Sequence, residues 1–489
     1  MYKVGFDKEK YLKIQSEKIM ERVDAYDKLY LEVGGKIFGD THGSRVLPGF
    51  EPDIKIRLME QIKDKLEIVF AISAVDIEEN RVQGDDGANY VSHLITMVER
   101  LRKHGLYVSS VVITKFTGQK LATRVQGQLK RLDLEVYTHK IIPEYPTNIK
   151  LIMSEEGFGQ NDFIKTTKPL VIVASPGSGS GKMGTCMSQL YHEFKRGVKA
   201  GYSKYEKFPV WNLPLHHPIN LAYESATTNI MDQNMIDPFH LDAYGVSAVN
   251  YNRDIEAFPV VNSMFKQIFG YTPYKSPTDM GVNMIKECII DKNACTNAGK
   301  QEIIRRHFKL LCEDYLYGGE KKGLKKIASL MNKANVDIND REVVPVAREK
   351  AEEVKTTVIA LQLPDGTIVT GREKSLLSAP AAVLLNALKH LASIDDDIEL
   401  IPSALIEPIQ NLHTNYLDKE SHLLRIEEVM LALSISTATC QTEGRAIAHL
   451  KSLANSQAHC TSILGQDVVS TFASLGVSIT CEPSHGNAG

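Results

Sequence analysis

Residues 171–186 read VIVASPGSGSGKMGTC, an apolar, β-branched stretch that runs into a glycine-serine loop carrying a lysine and opening a helical segment. A strand ending in such a loop offers backbone N–H groups and a helix N-terminus, the setting in which proteins hold anions. Gly177, Gly179 and Gly181 supply permissive backbone positions, Ser178, Ser180 and Thr185 supply hydroxyls, and Lys182 supplies the countercharge. The phosphate loop of nucleoside triphosphatases is spelled G-x-x-x-x-G-K-[ST], and Gly181-Lys182 matches its end. Pro176 stands where the first glycine belongs, and Met183 replaces the hydroxyl that binds Mg²⁺. The expectation is a P-loop-like anion site whose ligand is a phosphorylated small molecule or a nucleotide, the latter with Mg²⁺. The competing reading is a flexible strand-to-helix turn with a solvated lysine.

Other stretches carry groups of the same kind. EVGGKIFGDTHGSR places Lys36 and Arg45 in a glycine-containing loop after an apolar run, and YNRD places Arg253 at the start of a helical segment. Arginine binds phosphate or carboxylate through two parallel hydrogen bonds, so Arg253 is a candidate clamp. Lys36, Arg45, Lys182 and Arg253 make one cationic cleft if the sheet order brings their loops together. WNLPLHHPINLAYE crowds histidines, aromatic rings and a carboxylate after an expected strand, and His217 is the candidate acid–base group beside Lys182. His217-Pro218 as a stiff turn is the plainer alternative. DPFHLDAYG brings Asp237, His240 and Asp242 near one another, a weak candidate set for a metal-dependent hydrolase.

These residues need a frame. LYLEVGG, LEIVFAIS, YVSSVVIT, LEVYTHKII, PLVIVAS, FPVWNLP and VSAVNYN read as strands, separated by helix-period segments such as YVSHLITMVERLRKHG, MSQLYHEFKRGVKAG and FPVVNSMFKQIFG. Several strands are apolar at consecutive positions, as strands covered on both faces are, which predicts an α/β fold with a mostly parallel, doubly wound sheet. In such sheets ligands sit outside the carboxyl ends of the strands. SPTDMGVNMIKECII and GKQEIIRRHFKLLCEDYL predict a helical extension, and a charged, strand-poor stretch follows to about residue 355. Beyond it, TTVIALQLPDGTIVTG predicts a hairpin turning at Asp365-Gly366, then helices over APAAVLLNALKHLA and SHLLRIEEVMLALSISTAT, a last run GVSITCEP and a frayed tail SHGNAG. The expected organisation is an α/β domain over 1–276, a helical extension and linker over 277–345, and a smaller α+β domain over 346–489.

With 489 residues, 43% of them hydrophobic and 24% charged, and a formal net charge of −3, the chain has the balance of a soluble globular protein and no charge excess for nucleic acid or a membrane surface. The charged N-terminus lacks a signal peptide's apolar core, so the expected location is cytoplasmic. Seven dispersed cysteines without a C-x-x-C pair fit reduced thiols, and Cys186 reads as a small buried residue rather than a reactive thiolate. No H-E-x-x-H or G-x-S-x-G occurs, which removes those routes to a peptidase or serine hydrolase. The apolar positions of the two C-terminal helices exceed what one small domain buries, which predicts a homo-oligomer. The remaining alternative is a non-catalytic oligomeric regulator that senses a phosphorylated metabolite.

EVGGKIFGDTHGSRVLPGFEPDIK, SPGSGSGKMGTC, HPINLAYE, NMIDPFHLDAYG, VNYNRDIEAFPV, LPDGTIVTG and LNALKHLA together resemble a bacterial family, the one numbered eighteen-forty-six among domains of unknown function. The resemblance covers nearly the whole chain and implies an α/β N-terminal region joined to a smaller C-terminal domain. Members are sometimes labelled ATP-dependent peptidases, a label these residues do not support.

Overall fold

The structure is a computed structural model that describes residues 3–82, 87–228, 232–374, 376–416, 423–438 and 441–484. The chain divides into two compact units, Val4–Gly299 and Lys300–Gly489, the latter also taking in Met1–Lys3. Residues 277–299 therefore belong to the first unit and 300–345 to the second. Cys440 and residues 485–489 of the tail lie outside the described residues.

Six parallel strands form the sheet of the first unit: β1 (Lys28–Val33), β2 (Leu66–Ser73), β3 (Val108–Thr114), β4 (Glu135–Thr138), β5 (Leu170–Ala174) and β6 (Ala200–Tyr205), in the order β4-β3-β2-β5-β1-β6. Every residue of β2, β3, β5 and β6 is buried, because helices cover both faces. On one face Tyr30, Val69, Val112, Val171, Val173 and Tyr202 pack against Cys186, Met187, Leu190, Phe258 and Phe265. Burial pushes the Cys186 thiol well above its ordinary value, so it packs as a small apolar group. The doubly wound parallel sheet expected from the sequence is present, with all of its strands parallel.

Four helices matter for the site: α1 (Tyr90–Lys103), α2 (Lys182–Lys195), α3 (Pro218–Ala226) and α4 (Asn252–Phe269). Asn89 caps α1 and Gly270 ends α4 in the left-handed conformation. Neighbouring strands β2 and β5 lead away in opposite directions, β2 through α1 to β3 and β5 through α2 past β1 to β6. That divergence opens a crevice at the carboxyl edge of the sheet.

Four local expectations are corrected. FPVWNLP is not a strand: Val210 exchanges both backbone hydrogen bonds with the Asn220 side-chain amide, at 2.8 and 3.2 Å, instead of with a neighbouring strand. The sixth strand is AGYSKY, where the expected helix MSQLYHEFKRGVKAG has already ended before Gly197. VSAVNYN supplies β8 (Val249–Tyr251), paired antiparallel with β7 (Asn234–Ile236) apart from the main sheet. SPTDMGVNMIKECII forms only the short helix Pro277–Met280, opened by a capping box between Ser276 and Asp279 and left at Gly281, and a turn at Lys286–Cys288.

The second unit holds a mixed sheet, β10-β9-β11-β12, built from β9 (Val358–Gln362), β10 (Ile368–Arg372), β11 (Gln457–Cys460) and β12 (Ser478–Cys481). β9 and β10 are the expected hairpin, with Gly366 at φ +97° in its turn. The helix Ala379–Leu391 buries Ala381, Val383, Leu384, Ala387 and Leu388 in the core of this unit. Arg341 is buried and ties β11 to β12, donating to Ala458 O at 3.1 Å and Ser478 O at 2.7 Å.

Candidate anion-binding cleft

The parallel sheet places the loops after β1, β5 and β6 on one edge, and there they enclose a cleft of about 860 Å³. Gly34, Gly35 and Lys36 come from the first loop, Ser175 to Lys182 from the second, and Lys204 and Glu206 from the end of β6. His93, Met97 and Arg100 of α1 and Arg253 and Asp254 of α4 complete the walls. A volume of this size holds a drug-sized or nucleotide-sized ligand.

The glycine loop is anchored, not slack. Thr114 at the end of β3 donates its hydroxyl to Ser180 O at 2.7 Å, and Ser175 donates to Gly177 O at 2.7 Å. Gly177 lies against Tyr90, where a Cβ would come within 2.3 Å of the ring. Gly179 and Gly181 have φ of +77° and +87°, backbone that glycine adopts without strain. Gly181 is the N-terminal cap of α2 and brings no side-chain cap, so the first N–H groups of that helix have no acceptor from its cap residue. Lys182 Nζ, at the first position of α2, lies 3.2 Å from Ser175 Oγ on the cleft wall. Among the described residues, Ser180 Oγ and Thr185 Oγ1 have no hydrogen-bond partner, though both are buried.

The floor of the cleft carries a cluster that the sequence reading missed. Lys204 is buried and donates to both carboxylate oxygens of Asp254, at 2.7 and 2.5 Å, with Glu206 Oε1 at 3.6 Å. Tyr251 donates to Glu206 Oε2 at 2.6 Å, and Tyr202 donates to Glu32 Oε2 at 2.8 Å. Burial alone would lower the Lys204 pKa; Asp254 and Glu206 outweigh it and hold the ammonium well above its ordinary value. Burial raises the Glu206 carboxyl, and nearby Asp254 raises it further against the pull of Lys204. Lys55, buried behind the first loop, donates to Gly34 O and to Lys36 O at 2.9 Å, and burial brings it down to about 7. Tyr202, Lys204 and Glu206 sit at alternate positions of one strand and its exit, a spacing legible in AGYSKYE had that segment been read as a strand.

Of the residues singled out from the sequence, Gly177, Ser178, Gly179, Ser180, Gly181, Lys182, Lys36 and Arg253 line the cleft. Arg253 also pairs with Asp232 at 2.5 and 2.9 Å, so its clamp geometry is already engaged by a carboxylate. Arg45 and Thr185 are outside the lining. So is His217: Pro218 begins α3, which makes His217 the cap of that helix, its Nδ1 accepting from Ile219 N at 3.3 Å. The segment around it contributes Tyr223 to the cleft instead. Asp237 caps the helix Pro238–Tyr244 and accepts from Thr278, His240 Nδ1 lies 3.0 Å from Ser276 Oγ, and Asp242 is exposed. Among the described residues no group of three His, Cys, Asp or Glu side chains is arranged to hold a metal ion, so these three do not form the metal set considered above.

Fold and cleft together define an α/β protein with a glycine-loop crevice at the switch point of a parallel sheet. The chain belongs to the DUF1846 family: its residues 4–335 match the N-terminal domain of unknown function of that name and residues 339–488 the C-terminal one. It is 49% identical to a UPF0371 protein of Clostridium botulinum strain Alaska E43, over 99% of this chain and 98% of that protein. It is 50% identical to a UPF0371 protein of Corynebacterium aurimucosum, over 98% and 97% respectively. The family resemblance drawn from the motifs is thereby established.

Proposed function

We propose that this chain is a cytoplasmic, homo-oligomeric protein that binds a phosphorylated small molecule or nucleotide, with the phosphate held by the loop 175–181 and the start of α2. The observation that carries the reading is the glycine loop itself: it rims a nucleotide-sized cleft, ends in a helix with no side-chain cap, and sets Lys182 on the cleft wall. Phosphate oxygens would complete the helix N-terminus, whose partial positive charge adds about 0.3–1 kcal/mol to the binding of an anion. Group transfer at that phosphate is the reaction class to test first, since positioning and charge neutralisation supply most of its catalysis. Met183 in place of the Mg²⁺-binding hydroxyl favours a phosphate ester over a triphosphate-hydrolysing motor.

Hydrogen exchange followed by mass spectrometry tests the reading. Inorganic phosphate, phosphate esters and nucleotides are added in turn, and at least one is expected to slow amide exchange over 177–185. Unchanged exchange there with every member, together with no heat on titration, overturns it.

A further inference from the structure

Resting on the phosphate reading, we propose that the ligand is a polyhydroxylated phosphate ester, a sugar phosphate in chemical class, with its hydroxyls received by Glu206 and Glu32 on the cleft floor. The cleft has far more room than a phosphate occupies, so the remainder of the ligand must match what lines the rest. That lining is not an apolar slot, and beside the cations Lys36, Arg100 and Arg253 it presents carboxylates. Glu32, Glu206 and Asp254 all line it, and Lys204 is the ammonium placed among them. Asp254 is committed to Lys204 through both oxygens, which leaves Glu206 and Glu32 as the acceptors for a ligand.

Each of those two carboxylates is fixed on one oxygen by a tyrosine hydroxyl, Tyr251 for Glu206 and Tyr202 for Glu32, an arrangement that orients the other oxygen. Glu206 keeps 26% of its side chain exposed, on a residue that lines the cleft. A carboxylate accepts hydrogen bonds and, when protonated, also donates one, so it suits a hydroxyl, which does both. A second phosphate at this floor would meet two carboxylates that repel it. The rings of Tyr223 and Tyr251, 6.5 Å apart, also line the cleft and offer faces to a carbon skeleton. At the other end, Ser180 Oγ, on a lining residue, is buried and has no hydrogen-bond partner among the described residues. The two ends belong to one cleft, which Lys182 and Glu206 both line.

Calorimetric titration of the full chain with inorganic phosphate, n-butyl phosphate, ribose 5-phosphate and glucose 6-phosphate is the test. A sugar phosphate is expected to bind roughly tenfold or more tighter than n-butyl phosphate, which carries the same charge and no hydroxyls. Glu206→Gln is expected to narrow that difference, with Glu32 still in place, by weakening sugar-phosphate binding more than n-butyl phosphate binding. Because that comparison lies within the wild-type chain, it stands even if the variant fails to fold. Equal affinity for the sugar phosphates and n-butyl phosphate overturns the proposal and leaves the phosphate site standing. No binding of any of the four overturns the proposal, and no response to nucleotides either would overturn the phosphate reading with it.

Discussion

Lys204 and Asp254 illustrate how a buried charge is tolerated: each is taken out of water, and each is held by the other at hydrogen-bond distance. Removing one partner strands the other. Lys204→Met is expected to lower stability by about 3–5 kcal/mol in urea denaturation, and the double variant Lys204→Met with Asp254→Leu to recover a large part of the loss. Equal losses in the single and double variants would contradict the pairing. Lys182 sits at the opposite extreme, on the cleft wall beside the neutral Ser175 hydroxyl. Lys182→Ala is expected to weaken phosphate-ester binding by about 1.5–3 kcal/mol while leaving the melting temperature nearly unchanged, the scale of a charge-assisted hydrogen bond. Titration and a melting curve on one preparation decide it, and a large fall in melting temperature would point instead to a lysine that serves the fold.

The loop between β5 and α2 is shaped by elements far from it in sequence. Tyr90, the first residue of α1, fills the space beside Gly177, and Thr114 at the end of β3 holds Ser180. Gly177→Ala is therefore expected to displace the loop and cut phosphate affinity roughly tenfold, the loss being smaller in a Tyr90→Ala background. An equal loss in both backgrounds would remove Tyr90 from the account. In the second unit, β11 and the residue that follows β12 share a hydrogen-bonded network. His459 Nε2 lies 3.0 Å from Glu482 Oε1, which Arg348 Nε also reaches at 2.7 Å. Burial raises Glu482, but the hydrogen bonds from His459 and Arg348 outweigh it and bring the carboxyl from 4.5 to about 2. Burial also holds His459 below its ordinary value, against the pull of Glu482. Both groups thus bind fewer protons in the folded than in the unfolded chain. Stability from His459 begins to fall as pH drops below about 6.5, and that from Glu482 is present above about 4.5 and lost on the way down through about 2. Glu482→Gln is expected to flatten the acid limb of a denaturation midpoint measured against pH, and an unchanged limb would refute the assignment.

At the scale of the molecule, the open surface is the place to look for self-association. The helix Ala379–Leu391 is satisfied inside its own unit, so its apolar residues are unavailable to a neighbour. Ile426–Ser436 divides differently: Ile426, Val429 and Leu433 are buried, while Leu431 and Ile435, one turn apart, are 65% and 64% exposed. Light scattering at micromolar concentration is expected to give at least twice the 54.5 kDa chain mass, and Leu431→Glu with Ile435→Glu to shift it toward one chain. A single-chain mass that does not change on concentration would defeat the expectation. No helix among the described residues is long and apolar enough to cross a membrane.

Elements whose signal is local were legible in the order of residues. Runs such as LEIVFAIS and PLVIVAS are buried on both faces and say so in consecutive apolar residues, and the loop 177–182 announces its geometry through its glycines. Asp365-Gly366 marked its hairpin for the same reason. What lacked a local signal was decided by tertiary structure. AGYSKY is a buried strand with a lysine inside, tolerable only because Asp254 arrives fifty residues later to neutralise it, and with a glycine where the Tyr26 ring leaves no room for a Cβ. His217 looked chemical in isolation, and the proline after it made it a helix cap. Sheet order, which no stretch of residues encodes, brought Lys36, Lys182 and Arg253 to one cleft with Glu206 and left Arg45 out of its lining. The energy of a buried charge or a crowded glycine lies in its partner, and that partner is chosen by the fold.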